Sequence, residues 1–208
     1  MKHYEKKQYD IRNVAAFKKT TEQWGSLSNM AAGFPVVVNG VAIKSVEALY
    51  QACRFPHLPD VQKKILVQGS PMTAKMVGKP FREQSRSDWL SIRIQVMKWC
   101  LRVKLAQNWE SFSSVLTQTE EMPIVELSNK DDFWGAKPVD KNIYVGVNAL
   151  GRLLMQLREQ VLSFEQEHFM IVPPLKIDNF KLYGENISII KSSDTSSLKT
   201  SQINIFDV

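Results

Sequence analysis

The stretch from Ile124 to Arg158, IVELSNKDDFWGAKPVDKNIYVGVNALGRLLMQLR, constrains the fold of this chain more than any other. It opens on a short apolar run that carries Glu126. An acidic-aromatic turn follows, Asp131-Asp132-Phe133-Trp134-Gly135. A glycine-bounded loop then leads to Asn148, a good helix N-cap. Beyond it Leu150, Leu153, Leu154, Leu157 and Val161 recur at the spacing of one apolar helix face. Strand, turn and helix therefore share one supersecondary unit. Carboxylates, an indole, a flexible backbone and a helix N-terminus lie together in it, which suits a polar ligand with a flat ring.

Other signals fill in the architecture. Val36-Val37-Val38 and Val41-Ala42-Ile43 flank Asn39-Gly40, a strong short hairpin signal. Ser45 is placed to cap a helix whose core face is Val46, Leu49 and Cys53. Glu47, Tyr50, Gln51 and Arg54 lie off that stripe, with Glu47 and Tyr50 on one face. A second helix is expected from about Asp60 through Val67. A third is expected from Ser70-Pro71 to Gly78, with serine as cap and proline at the first helical position. Ser87-Asp88 should cap the longest helix, where Trp89, Ile92, Val96, Trp99 and Val103 form a buried stripe. Lys104 ends its adjacent face and reads as an exposed lysine lying along apolar surface. Asn108 is placed to cap a further short helix. Pro123–Leu127 and Phe169–Val172 read as strands. The sum is α+β, predominantly helical, with a small β-hairpin or sheet.

Composition narrows the function classes. No apolar run approaches the roughly 20 residues of a membrane span. The N-terminus MKHYEKKQYD has no apolar core of a secretory signal. The two cysteines, Cys53 and Cys100, sit on apolar helical stripes, as buried small hydrophobes do in a reducing, cytoplasmic compartment. His3, His57 and His168 are too dispersed for a metal motif, and neither a metal nor a cofactor is expected. The net charge of +6 favours encounter with phosphate-bearing partners, although a solvated surface explains it as well.

Acids on strand ends and turns beside a tryptophan can bind a sugar, its polar edge on the carboxylates and its apolar face on the indole. Cleavage of a glycosidic bond passes through an oxocarbenium-like state. That state needs a carboxylate near the anomeric carbon and an acid for the leaving group. Glu47, Glu126, Asp131 and Asp132 are the candidates. On the residues alone, each reads first as a surface or capping carboxylate.

An ordered set of motifs adds to this reading. It comprises Leu27-Ser28-Asn29, Ser45-Val46-Glu47-Ala48-Leu49-Tyr50-Gln51-Ala52, Ser70-Pro71-Met72, Trp89 with Val96-Met97, and Arg102-Val103-Lys104. It continues through Ile124-Val125-Glu126, Asp131-Asp132-Phe133-Trp134-Gly135, Gly146-Val147-Asn148 and Leu150 to Arg158. In order and spacing the set resembles the NADAR family, with its YbiA-like fold, from about Trp24 to Arg158. No single piece is specific; the ordered set is. The resemblance implies an N-glycosidase, acting either on phosphoribosylamino intermediates of riboflavin synthesis or on ADP-ribose attached to guanine in nucleic acid. Glu47-Ala48-Leu49-Tyr50-Gln51-Ala52-Cys53-Arg54-Phe55-Pro56 and Trp134-Gly135-Ala136-Lys137 look more like members linked to DarT-type toxins. The implied partners are then ADP-ribosylated DNA or RNA, the product ADP-ribose and a DarT-like toxin, with no membrane. A non-catalytic module that binds ADP-ribose or NAD-like ligands is the remaining alternative.

Carried over to these positions, Glu47 looks like the leading catalytic carboxylate and Asp131 matches the acid before the aromatic-Trp-Gly. Trp134, followed by Gly135, would wall the ribose-base unit. Asn148 at a helix start would meet a ribose hydroxyl or phosphate. Ser28, Asn29 and Arg54 would contact diphosphate or base, and Tyr50 and Glu126 complete the binding set. Lys104, if desolvated, would attack the anomeric carbon and form an imine with the opened sugar. Direct water attack, with Lys104 paired to Glu126 or left at a helix end, is the alternative. Trp89 reads as core rather than ligand. Leu105 stands where the family often has phenylalanine, and Arg54 where lysine is common. The expected organisation is a flexible segment over 1–13, the catalytic domain over 14–162 and a partly mobile extension over 163–208, on which the resemblance is silent.

Overall fold

The computed structural model describes residues 5–196. In chain order the elements are β1 (Lys7–Asp10), β2 (Ala15–Phe17), β3 (Val36–Val38), β4 (Val41–Ile43), α1 (Val46–Ala52), α2 (Pro59–Leu66) and α3 (Pro71–Gly78). They continue with α4 (Trp89–Gln107), α5 (Trp109–Gln118), β5 (Ile124–Glu126), β6 (Lys137–Pro138), β7 (Ile143–Gly146) and α6 (Ala149–Ser163). The last are β8 (Ile171–Val172), β9 (Lys181–Leu182), β10 (Glu185–Asn186) and β11 (Ile190–Lys191). The fold is α+β and mostly helical, as expected. Two compact units divide it: one takes the chain up to Ala31 together with Glu110–Glu165, the other Ala32–Trp109 and the chain from Gln166.

In the first unit β5 pairs in parallel with β2, Ile124 opposite Ala15 and Glu126 opposite Phe17. A second sheet runs in the order β1-β7-β6, all antiparallel. Its strand β1 lies inside the segment expected to be loose. Charge there is confined to outward positions, while Tyr9 turns inward onto Val125 and Ala136, so one aromatic anchor and the ladder to β7 hold it. Helix α6 packs its leucine face on β5. Arg158 near its far end is buried and donates to Thr119 Oγ1 at 2.7 Å and to the Met122 carbonyl at 2.8 Å.

In the second unit Asn39 and Gly40 both take positive φ, the pair of left-handed residues that a two-residue hairpin loop needs. Ser45 and Ser70 cap α1 and α3 by accepting from the N–H groups of Ala48 and Thr73. Asp88 does not cap α4, because Arg86 takes its carboxylate instead. Asn108 closes α4 rather than opening α5: its amide donates to the Lys104 carbonyl at 3.1 Å and the Pro35 carbonyl at 3.0 Å.

The chain beyond Glu165 supplies part of this unit's core. Phe169, Val172, Phe180, Leu182, Ile187 and Ile190 are buried. Three buried polar side chains tie the segment to the helices. Gln62 donates to the Lys181 carbonyl, Gln107 to the Lys191 carbonyl and Arg86 to the carbonyls of Asp178 and Asn179. Trp99 adds an indole hydrogen bond to the Pro173 carbonyl at 3.0 Å. Of the serine-rich stretch expected to be mobile, Lys191 ends β11 and Ser192–Thr195 form a 3-10 turn. The remainder, from residue 197, lies outside the described residues, as do residues 1–4.

Candidate active site

The expected residues fall into two sets, each within one unit. In the second unit α1 is buried all round, because it packs on α2, α3 and α4 at once. The face that carries Glu47, Tyr50 and Gln51 is therefore as enclosed as the apolar stripe. Glu47 is 7% exposed and accepts a hydrogen bond from Gln51 Nε2, one turn on, at 2.9 Å. Tyr50 lies against Trp89, the first residue of α4, with ring centroids 5.1 Å apart. Burial, then the charge of Glu47, pushes the Tyr50 hydroxyl far above its ordinary range, so it stays a neutral donor. Arg54 is half-buried with its guanidinium 4.8 Å from the Trp89 ring. Desolvation pulls its affinity for the proton down, and Arg82 and Arg93 add like charge. Arg54 Nε and Trp89 Nε1 are buried without hydrogen-bond acceptors.

Lys104 meets the condition its proposed chemistry requires. It is wholly buried rather than exposed at a helix end. Its ammonium sits 4.2 Å from the centre of the Phe34 ring. The ring face favours a cation, but burial outweighs it and pushes the amine well below the usual lysine range. Cys100, one turn earlier on α4, lies within electrostatic reach of Glu47. Cys53 and Cys100 are free and buried, and the Cys100 thiol is held up by desolvation first and by its hydrogen bond with Cys53 second.

In the first unit the 131–135 turn is locked to the start of α6. Asp131 Oδ1 accepts from the N–H groups of both Phe133 and Trp134, each at 2.9 Å. That is the geometry of a turn cap, and it holds the backbone of the turn that carries Trp134. Phe133 meets Trp134 edge to face. Asp132 is paired with Lys6 and Lys137, and these hydrogen bonds, that of Lys6 foremost, hold its carboxyl below the usual range. Gly135 lets the turn close on β5, since a Cβ there would collide with the Glu126 carbonyl. That carbonyl also accepts from Ala136 N–H at 2.8 Å.

Two expectations for Asn148 are corrected here. Asn148 is not a side-chain cap; it adopts the left-handed conformation, φ 52°, and makes no cap hydrogen bond. Nor does it face a ligand. Its side chain has no exposure and clamps β5, donating to the Ile124 carbonyl at 2.8 Å and accepting from Glu126 N–H at 3.2 Å. The helix N-terminus is taken as well. The Ala149 and Leu150 N–H groups, which would otherwise point at an anion, donate to the carbonyls of Phe133 and Trp134 at 2.9 and 3.0 Å. Ser28 and Asn29, both buried, follow a 3-10 turn in this unit, and Ser28 Oγ accepts from Met30 N–H.

Sequence reasoning passed over Gln51 as a functional residue, although its i+4 spacing from Glu47 was readable. Phe34 against Lys104 and the stack of Arg54 on Trp89 carried no local signal. Among the described residues, no three of His, Cys, Asp and Glu come together to hold a metal ion, and no helix is long and apolar enough to cross a membrane.

A buried, oriented carboxylate and a desolvated amine, both in the second unit, are components a glycosidic site uses. Comparison with known proteins points the same way. The NADAR domain matches residues 16–162. The N-glycosidase YbiA of Escherichia coli is 34% identical over 148 residues, covering 71% of this chain and 88% of that protein. A riboflavin biosynthesis protein of Vibrio vulnificus is 33% identical over 192 residues, 85% of this chain and 49% of that one. The NMR structure of E. coli YbiA superposes with a TM-score of 0.62 at 32% identity, over 73% of this chain and 86% of the other. The chain belongs to the NADAR domain family, of which the N-glycosidase YbiA is a relative.

Proposed function

We propose that the protein is an N-glycosidase that removes ADP-ribose from modified guanine bases in DNA or RNA, as antitoxin to a DarT-like ADP-ribosyltransferase. The observation that carries the reading is Glu47: a carboxylate enclosed on α1, oriented by Gln51 and set in the unit that also buries Lys104. In the reaction the bond from the ribose anomeric carbon to the guanine nitrogen breaks. Its electron pair leaves with the base, which takes up a proton. Glu47 faces the positive charge that develops on the ribose. Water then adds to the anomeric carbon. In the covalent variant the neutral Lys104 amine adds first, the opened sugar forms an imine, and water releases it. Asp131 acts indirectly, by holding the Trp134 turn.

Incubation with an oligonucleotide carrying ADP-ribosylated guanine should release free ADP-ribose and restore the unmodified base. No release by the wild type, or undiminished release by Glu47→Ala, overturns the proposal. A second reading, hydrolysis of phosphoribosylamines of riboflavin synthesis, is favoured by the names of two kinds of relative, from Vibrio vulnificus and from Zea mays. Turnover of both substrates in competition separates the two.

A further inference from the structure

Two surfaces of this chain carry exposed apolar side chains in ground of opposite charge. In the second unit, the stretch from Val61 to Arg82 holds Lys63, Lys64, Lys75, Lys79 and Arg82 and no carboxylate. It forms most of α2, all of α3 and the start of a 3-10 turn over Lys79–Gln84, with α2 packed on α3. Helix α2 turns Val61, Ile65 and Leu66 inward, and α3 turns Ala74 and Gly78 inward. The outer side of α3 then presents Met72, Lys75, Met76 and Lys79, at the i, i+3, i+4, i+7 spacing of one face. Met72, Met76 and Val67, which follows α2, are each more than half exposed. Among the described residues, Lys63 alone of the five cations meets a carboxylate, that of Asp60 at 3.7 Å, and this pair is solvated.

In the first unit the pattern is reversed. From Glu110 to Asn129 the chain has Glu110, Glu120, Glu121 and Glu126 and no lysine or arginine. From Glu159 to Glu165, at the end of α6, it again has glutamates and no cation. Arg158 brings these two stretches together. It donates to Thr119 and to Met122, on either side of Glu120 and Glu121, and both Glu121 and Glu159 lie within its electrostatic reach. Arg158 is itself buried, whereas Glu120, Glu121, Glu159 and Glu165 are exposed, so the glutamates set the surface charge. Leu162 and Phe164 lie between Glu159 and Glu165, each more than half exposed.

Single exposed apolar residues are ordinary on a protein surface, but groups of them rimmed by polar residues mark a docking face. Neither face here fits itself, since like charges would meet. Each fits the other in charge and in apolar character, and every copy of the chain carries both. A nucleic acid would use the lysines, but not the exposed methionines or the glutamate face. We propose that the α3 face of one copy docks on the α6 end of a second copy, the methionines meeting Leu162 and Phe164 and the lysines meeting the glutamates. Because the two faces differ, one contact leaves one face of each kind open, and association continues beyond two copies unless the geometry closes it.

Sedimentation velocity of the full chain, at rising concentration and at low and high salt, tests this. The wild type should move from one chain towards two or more as concentration rises at low salt, and return as salt screens the contact. Lys75→Glu with Lys79→Glu, and separately Glu159→Lys with Glu165→Lys, should each lower the association constant by about a hundredfold or more, because each sets like charges face to face. A mixture of the two variants restores opposite charges across the contact and should associate again. Mixing would not repair a loss of fold, and thermal melting of each variant checks that directly. A wild type that stays a single chain throughout, association unchanged in both variants, or a mixture no more associated than its parts overturns the inference. So does an unmodified oligonucleotide that binds the wild type as a single chain and is lost with Lys75→Glu and Lys79→Glu, which would give the lysine face to nucleic acid.

Discussion

Gln51 Nε2 donates to Glu47 Oε1 across one turn of α1, 2.9 Å apart, with both residues buried. The bond fixes one carboxylate oxygen. Glu47→Ala should lower kcat by about a hundred- to ten-thousand-fold with little change in KM. Gln51→Leu removes the hydrogen bond that orients the carboxylate, so kcat should fall by about tenfold with KM little changed. An unchanged kcat in Gln51→Leu would remove the positioning role.

Lys104 makes stability depend on pH with a defined sign. Its folded-state affinity for the proton is depressed by burial, whereas the unfolded chain keeps the ordinary lysine value of about 10.4. Between those two values the unfolded state holds one more proton than the folded state. Stability therefore rises with pH through that window and levels off above it, with a slope of at most about 1.4 kcal/mol per pH unit. Urea titrations across pH should show the rise in the wild type and not in Lys104→Met. The same variant should lose any borohydride-trapped sugar adduct; an adduct that persists places the imine elsewhere.

Asn148 and Gly151 should behave as structural residues. Asn148→Ala leaves the Ile124 carbonyl and Glu126 N–H unsatisfied and keeps a left-handed backbone, a cost of about 3 kcal/mol. A Cβ at Gly151 would strike the Ile124 carbonyl and the Asn148 side chain, so Gly151→Ala should destabilise to a similar degree. Chemical denaturation reads both. An Asn148→Ala protein of wild-type stability and weakened substrate binding would restore the ligand contact withdrawn above.

Trp134→Ala should act on binding. Loss of one stacking surface is worth about 1–3 kcal/mol, which corresponds to about tenfold or more in KM, with kcat changed less. The reverse split between Trp134→Ala and Glu47→Ala would exchange the roles given to the two residues.

What could be read in advance was the chemistry of near neighbours. Ser45, Ser70 and Asn39-Gly40 act through residues within a turn of themselves, and each does what its type prefers. Asn148 shows the limit. Asparagine favours both the N-cap and the left-handed conformation, and only the approach of β5 decides between them. Lys104 could be read either as desolvated or as exposed, because position on a helix face gives no account of a neighbour such as Phe34, seventy residues earlier. The parallel pairing of β2 with β5 and the anchoring of the C-terminal segment depend on partners distant in sequence. The segment's ties are side chain to backbone, through Gln62, Gln107 and Arg86, and leave no periodic trace.

Those ties have a consequence for the order of synthesis. Helix α4 is made early but finished late. The acceptors for Trp99, Gln107 and Arg86 lie at Pro173, Lys191 and Asp178, which the ribosome adds only after all of α6. Until then the seats of Phe169 and Phe180 stand open on a nascent chain whose Glu47 and Lys104 are already present. A chain paused after α6 should therefore be the form that chaperones hold longest and proteases cut first.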